Sequence, residues 1–386
     1  MSCPATGPQT GPTTSLNRPV YVAGRGVVSG LGTACGTFMD ALFASQQGIL
    51  PRERSAAWAL PTTVAGELPA SFWTGPEPVG APLPVAVAAA RQALAEAGDP
   101  DPTSVALVLA STKADLTGVM CPGEGYGLPA RLATKLAETM GLGPVLASVS
   151  TACASGLMAL SLATRRLARG EVDRVLVVGV DVLTEFVMAG FGCLHALDRE
   201  ACRPFDTSRQ GVSLGEGAGA VLLTTYGSES MGVRIAGHGG ANDAYHAMRP
   251  AQDGSGLVLA ARRALGRAQL AASEVDVIHV HGTGTEANDA AEARGLGDLF
   301  AGLTPPVFGS KGQIGHTLGA AGVIETLVAI EALQRCQAAG NVGLETLGVD
   351  PRLDLSPAPR SLPRARHALK VGGGFGGVQA ALVLEA

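Results

Sequence analysis

ASVSTACASGLMALSLATRR, residues 147–166, joins a short run of small residues to an apolar segment with helical spacing. Apolar residues that recur every three or four positions predict a helix, and the small residues before them predict a strand end and a tight turn. Cys153 lies at this junction. The run VDRVLVVGVD from Val172 follows, and its near-continuous aliphatic character is typical of a strand covered by helices on both faces.

A second copy of this arrangement follows in the C-terminal part of the chain. GVIETLVAIEALQRC from Gly322 repeats the helical pattern of GLMALSLATRRLARG from Gly156. ARQALAEAG from Ala90 and ARRALGRAQL from Ala261 are each followed by an apolar run that predicts a buried strand. We therefore predict an α/β fold in which two duplicated halves form five layers, α-β-α-β-α. Two unrelated α/β domains are the alternative.

Three segments are predicted along the chain. Residues 1–17 are rich in Pro, Gly and Thr and lack an apolar core, so we expect a flexible N-terminal tail rather than a secretory signal. The N-terminal half extends over residues 18–226 and the C-terminal half over residues 227–386. Because no Pro- or Ser-rich linker divides the halves near Tyr226, we expect them to pack together.

Composition and charge argue against several classes of protein. The net charge of −5 argues against nucleic-acid binding, because phosphate binding needs a dense Lys/Arg surface. No apolar run reaches the roughly 20 residues of a membrane helix. The seven cysteines show no C-x-x-C spacing, which disfavours a metal site or a disulfide scaffold and fits a reducing compartment. We expect a cytoplasmic enzyme.

Cys153 is the candidate nucleophile. A sulfur atom near a helix N-terminus experiences the positive end of the helix dipole, which favours the thiolate. A tight strand-to-helix turn also directs backbone N–H groups at a developing oxyanion, the geometry that acyl transfer requires. An inert buried cysteine is the alternative, and the neighbouring residues favour the nucleophile.

Two further segments place polar residues in apolar surroundings. His281 follows the strand-like run VDVIHV, at the strand end where open α/β sheets build their sites. Lys311 and His316 lie together in GSKGQIGHTLGAAGVIE, and Glu325 lies in the helix that begins there. Because small and apolar residues flank Lys311, a desolvated ion pair with Glu325 is one interpretation, and a surface cation is the other. His279 is interpreted as a structural histidine.

Three motifs, in this order, resemble the Cys-His-His machinery of the elongating β-ketoacyl synthases: TACASG with Cys153, HGTGT with His281, and SKGQIGH with Lys311 and His316. RPFDTSRQGVSLGEGAGAVLL, NDAYH and the terminal GFGG extend the resemblance from about Val20 to the C-terminus. It implies the thiolase-like form of the five-layered fold. It also implies decarboxylative condensation of malonyl groups with an acyl chain, in fatty-acid-like or polyene and polyketide elongation.

The resemblance implies a role for each residue of the reacting centre. Cys153 would attack the acyl thioester. His281 and His316 would donate hydrogen bonds to the malonyl thioester carbonyl and stabilise the enolate that forms as carbon dioxide leaves. The backbone amides of Cys153 and Phe375 would form the oxyanion hole.

Other residues would orient the histidines and the substrate. Lys311, in partnership with Glu325, would orient the histidine network, and Thr283 and Thr285 would contact the phosphopantetheine arm. No cofactor is expected, because phosphopantetheine arrives on the acyl carrier protein.

The resemblance also implies protein partners. Arg203 and Arg209, in RPFDTSRQG, would lie near the pocket mouth and dock the acidic acyl carrier protein; a solvated loop is the alternative. The chain is expected to form a homodimer or a heterodimer with a chain-length-factor-like homologue that lacks the cysteine.

Two departures from the family pattern bear on the substrate. Residues 371–379 read VGGGFGGVQ where elongating synthases usually read NSFGFGGTN, so Gly373 replaces the gatekeeping phenylalanine. A wider pocket is predicted, unless Phe191 or Met188 fills the vacated volume. The segment from Ser111 to Val145, which begins with STKAD, is shorter than usual and resembles the ketosynthases of aryl polyene and related pathways.

The motifs disfavour three other activities. A thiolase would need a second catalytic cysteine in the C-terminal glycine loop, and residues 372–377 contain none. Initiating synthases use Cys-His-Asn, whereas SKGQIGH supplies a second histidine. A non-elongating chain-length-factor-like or decarboxylase subunit would be expected to lack the nucleophile, and Cys153 is present.

Overall fold

The computed structural model describes residues 18–75, 80–116 and 127–386. The predicted N-terminal tail, residues 1–17, lies outside the described residues, as do residues 117–126 of the shortened segment between Ser111 and Val145. Throughout the described part of the chain, no helix combines the length and the apolar character needed to cross a membrane.

The N-terminal half alternates strands and helices. In chain order its elements are β1 (Tyr21–Ser29), α1 (Cys35–Phe43), β2 (Leu50–Pro51), β3 (Val64–Ala65), α2 (Pro82–Glu96), β4 (Ala106–Ala110), α3 (Pro129–Met140), β5 (Val145–Val149), α4 (Ser155–Ala168), β6 (Arg174–Asp181), α5 (Glu185–Cys193) and β7 (Gly217–Thr224). The aliphatic run from Val175 to Val180 lies within β6 and is buried throughout, because helices cover both faces of this strand.

The C-terminal half repeats this alternation. Its elements are β8 (Arg234–Asn242), α6 (Ser255–Ala268), β9 (Val277–His279), α7 (Glu286–Phe300), β10 (Val307–Phe308), α8 (Lys311–Ile314), α9 (Ala321–Arg335), β11 (Gln337–Ala338), β12 (Arg360–Ser361), β13 (His367–Gly374) and β14 (Val378–Glu385). The duplication inferred from the sequence pairs α2 with α6, β4 with β9 and α4 with α9.

Each half forms a five-stranded sheet, and the two sheets have the same strand order. The strand order in the N-terminal half is β5-β4-β6-β7-β1, and the equivalent order in the C-terminal half is β10-β9-β13-β14-β8. In each sheet the first three strands are parallel to one another and the last two are joined by antiparallel pairing. A single residue pair, Tyr21 with Arg234, connects the two sheets.

Helices separate and cover the two sheets. Helices α4 and α9 pack against each other and contact both sheets, while α2 covers the outer face of the first sheet and α6 the outer face of the second. Separate apolar clusters fill the central layer and the two outer layers. The predicted five-layered, thiolase-like α-β-α-β-α fold is therefore confirmed.

The central helices approach each other closely at their N-terminal ends. A Cβ atom added to Gly156 would lie 2.7 Å from the Val323 nitrogen, and one added to Gly322 would lie 2.5 Å from the Leu157 nitrogen. Only glycine permits this contact. It brings the start of α4, which follows Cys153, next to the start of α9, which carries Glu325.

Candidate active site

Cys153 lies in the turn that joins β5 to α4. Ala152, the residue before it, has a φ of +50°, in the left-handed region that residues other than glycine rarely occupy. The Ser155 hydroxyl braces the turn, because it accepts a hydrogen bond from the Thr151 N–H at 2.8 Å and donates one to the Ala152 carbonyl at 2.6 Å. Such strain costs about 1–3 kcal/mol. The turn directs the Cys153 side chain into a cavity.

Burial sets the protonation state of this thiol. Burial raises the pKa of Cys153 to about 12, and the Lys311 ammonium acts in the opposite direction. The thiolate expected from the helix N-terminus is therefore not the resting form, because desolvation outweighs the favourable potential. The Cys153 side chain therefore rests as a neutral thiol, and a nucleophilic role would require it to lose its proton.

His281 lies in the turn that follows β9. The backbone N–H groups of His281 and Gly282 donate to the Glu292 carboxylate on α7, at 2.6 and 2.8 Å. Burial raises the pKa of Glu292 to about 7, and these hydrogen bonds oppose that increase. Glu292 thus fixes the backbone that carries the His281 ring.

Lys311 lies beneath His281 and is completely buried. Its ammonium forms an ion pair with Glu325 on α9 and donates to the His281 carbonyl oxygen at 2.6 Å. The same nitrogen lies 3.3 Å from His281 Nδ1. Because an ammonium only donates hydrogen bonds, Nδ1 must accept, and the ring proton of His281 is carried on Nε2.

His316 belongs to the C-terminal half, but the N-terminal half holds it. Its N–H donates to the Ser213 carbonyl at 2.7 Å, and its carbonyl accepts from the Gly215 N–H at 3.1 Å. His316 Nδ1 accepts from the Leu318 N–H at 3.3 Å, so Nε2 carries the proton. Within the described residues this buried Nε2 has no hydrogen-bond partner.

The imidazole rings of His281 and His316 are neighbours, and both are neutral hydrogen-bond donors. Their ring centroids are 5.3 Å apart and their planes are nearly perpendicular, at 89°. Burial, and secondarily the Lys311 ammonium, lowers the pKa of His281 and of His316 well below the ordinary histidine value. Each ring therefore remains uncharged near neutral pH with a proton on Nε2.

Cys153 and both histidines line one cavity of about 340 Å³. Polar residues from α7 and its N-terminal loop line the outer part, and apolar residues from α5 and the β13–β14 hairpin line another wall. Thr283, Thr285 and Asn288 come from α7 and the loop before it. Phe191 and Leu194 come from α5 and its C-terminal end, and Gly373, Phe375 and Gln379 come from the β13–β14 hairpin. A partly apolar cavity lined by a thiol suits an acyl chain and its thioester.

Thr283 and Thr285 lie side by side at the cavity wall. Their hydroxyl oxygens are 2.8 Å apart, and one donates to the other. Asp289 holds the loop beneath them by accepting from the Thr283 and Gly284 N–H groups, at 3.1 and 3.2 Å. The paired hydroxyls offer an amide-bearing ligand both a donor and an acceptor.

The β13–β14 hairpin closes the cavity over Cys153. A Cβ atom on Gly374 would lie 3.1 Å from the Cys153 nitrogen, so the hairpin backbone packs directly on the turn that contains Cys153. Neither the Cys153 N–H nor the Phe375 N–H donates a hydrogen bond to another described residue. Both amides are thus available to a substrate oxygen.

Two family models together cover most of the chain. The N-terminal domain of beta-ketoacyl synthase matches residues 17–228, and the C-terminal domain of beta-ketoacyl synthase matches residues 233–345. The chain belongs to the beta-ketoacyl synthase family. It is accordingly an acyltransferase, and the family predicted from the three motifs is confirmed.

Similar proteins align with between 78% and 96% of this ketosynthase. The 3-oxoacyl-[acyl-carrier-protein] synthase 2 of Rhizobium meliloti (strain 1021) is 30% identical over 95% of this chain and 99% of its own length. The actinorhodin polyketide putative beta-ketoacyl synthase 1 of Streptomyces coelicolor is 32% identical over 78% and 73%. The solved structure titled the ishigamide ketosynthase/chain length factor has a TM-score of 0.87, with 27% identity over 96% of this chain and 99% of that one.

Polar and aromatic side chains surround Gly373, the position where the family pattern has a phenylalanine. A Cβ atom on Gly373 would lie 2.8 Å from Gln379 Oε1, so the Gln379 side chain covers the position of the missing phenylalanine. The Phe191 ring stacks on Phe375 with centroids 5.8 Å apart and lines the cavity. Met188, the other candidate to fill this volume, is a completely buried residue of α5 and is not among the residues that line the cavity.

The two arginines proposed to dock a carrier protein have partners of their own. Arg209 donates to the carbonyls of Asp206 and Gly348, at 2.8 and 3.0 Å, and so ties its own loop to the segment that contains Gly348. Arg203 is more exposed and lies 3.6 Å from Glu345. Arg249, which the sequence analysis did not single out, is exposed and lines the cavity.

Sequence reasoning missed several polar residues of the ketosynthase site. Asp289 and Glu292 are spaced three apart on α7 and face the HGTGT loop, a spacing that could have indicated one buried helix face. Lys370 is completely buried inside β13 and pairs with Glu325 at 2.8 Å. The signal for Lys370 was a lone lysine between apolar residues in HALKVGGG. No group of three or more potential metal ligands occurs in residues 18–75, 80–116 and 127–386.

Proposed function

We propose that this ketosynthase condenses a malonyl group, carried by an acyl carrier protein, with an acyl chain held on Cys153. One observation carries the proposal: a buried thiol shares a cavity with two neutral imidazoles whose Nε2 atoms are both protonated. That arrangement suits a nucleophile for acyl transfer and a pair of donors for an enolate oxygen.

The first half-reaction loads the acyl chain. The Cys153 sulfur attacks the carbonyl carbon of the acyl thioester, the thiol proton is lost, and the carrier thiol leaves with a proton. The N–H groups of Cys153 and Phe375 would receive the oxyanion of the tetrahedral intermediate, a role supported by their lack of other acceptors among the described residues.

The second half-reaction forms the carbon–carbon bond. The malonyl C–COO⁻ bond breaks, carbon dioxide leaves, and the electron pair develops on the thioester oxygen as an enolate. His281 and His316 would each donate a hydrogen bond to that oxygen. The enolate carbon then attacks the acyl-enzyme carbonyl and the Cys153 sulfur leaves, so the product is a 3-oxoacyl chain on the carrier.

Lys311 and Glu325 would orient the His281 ring, one of the two hydrogen-bond donors in this step. The Lys311 ammonium reaches both the carbonyl and Nδ1 of His281, and Glu325 neutralises its charge. Paired buried charges avoid the desolvation penalty that a lone ammonium would carry. Thr283 and Thr285 would bind the amides of the phosphopantetheine arm.

The chain is proposed to work with an acyl carrier protein and a second ketosynthase-like subunit. One similar structure, the ishigamide ketosynthase/chain length factor, supports the second subunit. A heterodimer is therefore proposed beside a homodimer, and the aryl polyene subgroup stays a prediction. Arg203 and Arg249 are the better candidates for carrier docking, because Arg209 is engaged by its own loop.

Reconstitution with carrier proteins tests the proposed function. We expect an acyl-loaded carrier to transfer its chain to Cys153, and malonyl-carrier then to become a 3-oxoacyl carrier two carbons longer than the starting acyl chain, as measured by intact-protein mass spectrometry. Carbon dioxide release without chain growth would instead indicate the decarboxylase-like alternative. No acyl-enzyme with any chain length, alone or with a ketosynthase-like partner, would overturn the proposal.

Gly373 is expected to determine which chains enter. Replacing it by phenylalanine should slow acylation of Cys153 by long or polyunsaturated chains more than by short chains, because the ring would displace the Gln379 side chain and occupy volume at the cavity wall. The measurement is the acylation rate for a series of acyl carriers of increasing length.

The Gly373→Ala variant is the matched control. Its Cβ atom would also meet Gln379 Oε1, the end of a side chain that Asp243 holds at 3.0 Å, but it brings no ring. Equal slowing for all chain lengths in both variants would indicate displacement of Gln379 rather than a gate. Unchanged rates in Gly373→Phe would place the gate elsewhere.

A further inference from the structure

A second lysine lies under the histidines and takes no part in the mechanism above. Lys370, in β13, is completely buried, and its ammonium is 2.8 Å from Glu325 Oε2. Glu325 Oε1 is bound by Lys311, so one carboxylate is clamped between two ammonium groups. The Glu325 carboxylate can balance only one of these two ammonium groups, and Glu292 is the other buried carboxylate that interacts with Lys370.

The remaining protons of Lys370 fix the strand that leads to His281. The ammonium donates to the carbonyl of Val280, the residue before His281, at 3.2 Å, and to the carbonyl of Val371 at 2.5 Å. Lys370 therefore ties β13 to the end of β9. A Cβ atom on Gly372 would lie 3.9 Å from Lys370 Nζ and 3.7 Å from His281 Nδ1, so only a glycine separates the ammonium from the imidazole.

We propose that Lys370 is a positioning residue of the condensation site, which holds the Glu325 carboxylate for Lys311 and places a second positive charge beneath His281. This inference rests on the proposed decarboxylative function. The charge would favour the enolate at the cavity end, and the hydrogen bonds would keep the Lys311 ammonium aimed at His281 Nδ1.

Several charged or titratable groups from neighbouring elements surround this position. They are Lys311 on α8, His316 after it, Glu325 on α9, Glu292 on α7, and His279 and His281 at the end of β9. The Lys370 ammonium disfavours protonation of His281 and favours ionisation of Glu292. Loss of that ammonium raises the pKa of both groups.

Two variants separate the charge of Lys370 from its hydrogen bonds. Lys370→Met removes both, whereas Lys370→Gln keeps an N–H donor for Glu325 or the Val280 carbonyl but removes the charge. In both variants we expect the acid limb of malonyl-carrier decarboxylation to move to higher pH by roughly one unit, because the Lys370 ammonium lowers the pKa of His281 and loss of a nearby charge typically changes a pKa by about that much. The maximal rate should fall about tenfold in Lys370→Met and less in Lys370→Gln, because removing one hydrogen bond to a charged group typically has that effect.

An ion pair to the same helix provides a control for an effect on stability alone. Arg25 in β1 forms a partly buried ion pair with Glu331, six residues after Glu325 on α9. Arg25→Met should lower the melting temperature and leave the acid limb unchanged. Acylation of Cys153 should stay near the wild-type rate in all three variants, because within the described residues the hydrogen bonds and ion pair of Lys370 go to Val280, Val371 and Glu325 and not to Cys153 or its turn.

A measurement without substrate keeps the inference separate from the proposed function. In ¹⁵N-histidine-labelled protein, NMR titration reads the protonation of the His281 ring, which the His281→Ala spectrum assigns among the seven histidines. We expect His281 to protonate at higher pH in Lys370→Met than in the wild type. An unchanged His281 titration, or a rate that falls equally at every pH, would overturn the role of Lys370 even if the ketosynthase elongates chains as proposed.

Discussion

Cys153→Ala is expected to abolish acyl-enzyme formation and condensation while the fold is retained. The substitution removes only the sulfur atom from a turn that Ser155 braces through backbone hydrogen bonds. Removal of one small buried group costs about 1 kcal/mol of stability. Intact-protein mass spectrometry after incubation with acyl carrier should show no adduct, and the thermal unfolding midpoint should change little. Persistent acylation of the variant would assign the nucleophile to another residue.

Cys153→Gln separates the two half-reactions. The glutamine amide can reach the oxyanion site between the Cys153 and Phe375 backbone N–H groups and so imitate an acylated thiol. Decarboxylation of malonyl-carrier should therefore remain measurable in this variant although condensation is lost. Carbon dioxide release, followed beside the Cys153→Ala variant, is the measurement. Equal loss of decarboxylation in both variants would contradict separate half-reactions.

His281→Ala and His316→Ala are expected to depress decarboxylation and spare acylation. Each variant removes one Nε2–H donor to the enolate oxygen, and loss of one oxyanion donor typically costs about 10²-fold or more in rate. Acylation of Cys153 depends on the backbone amides instead and should stay within a small factor of the wild-type rate. Parallel assays of acyl transfer and carbon dioxide release on the same preparations test this split.

His367→Ala provides the matched control for both variants. His367 is also buried, but it lies at the opposite end of β13 from Gly374 and its Nδ1 is 2.9 Å from the Glu274 carbonyl oxygen. Its loss should reduce stability without a selective loss of decarboxylation. If a catalytic-histidine variant lost acylation but kept decarboxylation, the role assigned to that histidine would be wrong.

The family and the fold were accessible from local patterns. The helical spacing after Gly156 and Gly322 and the aliphatic runs between them indicate duplicated α/β halves, because both signals depend on which faces of an element are buried. The order of TACASG, HGTGT and SKGQIGH identified the family. Each of these motifs is a continuous run of residues, so it can be found without knowing any long-range contact.

The protonation states could not be predicted in the same way. The position of Cys153 before a helix suggested a thiolate, but burial by distant segments raises the pKa of the thiol to about 12. Desolvation depends on all the chain that covers a group, whereas a helix end is visible within a few residues. The surroundings of Gly373 were also decided at a distance, because the Gln379 side chain of β14 lies where a side chain on Gly373 of β13 would project.

What the sequence determined by itself is the inventory of the site: a cysteine before a helix, a histidine after a strand, and a lysine and a histidine before a second helix. What only the tertiary structure decided is their common location and charge. The N-terminal half holds His316 through Ser213 and Gly215, and Lys370 joins Lys311 on one Glu325 carboxylate. These contacts join residues that are tens to more than a hundred positions apart. Their geometry follows from the packing of two sheets on one central helix layer, which no local pattern records.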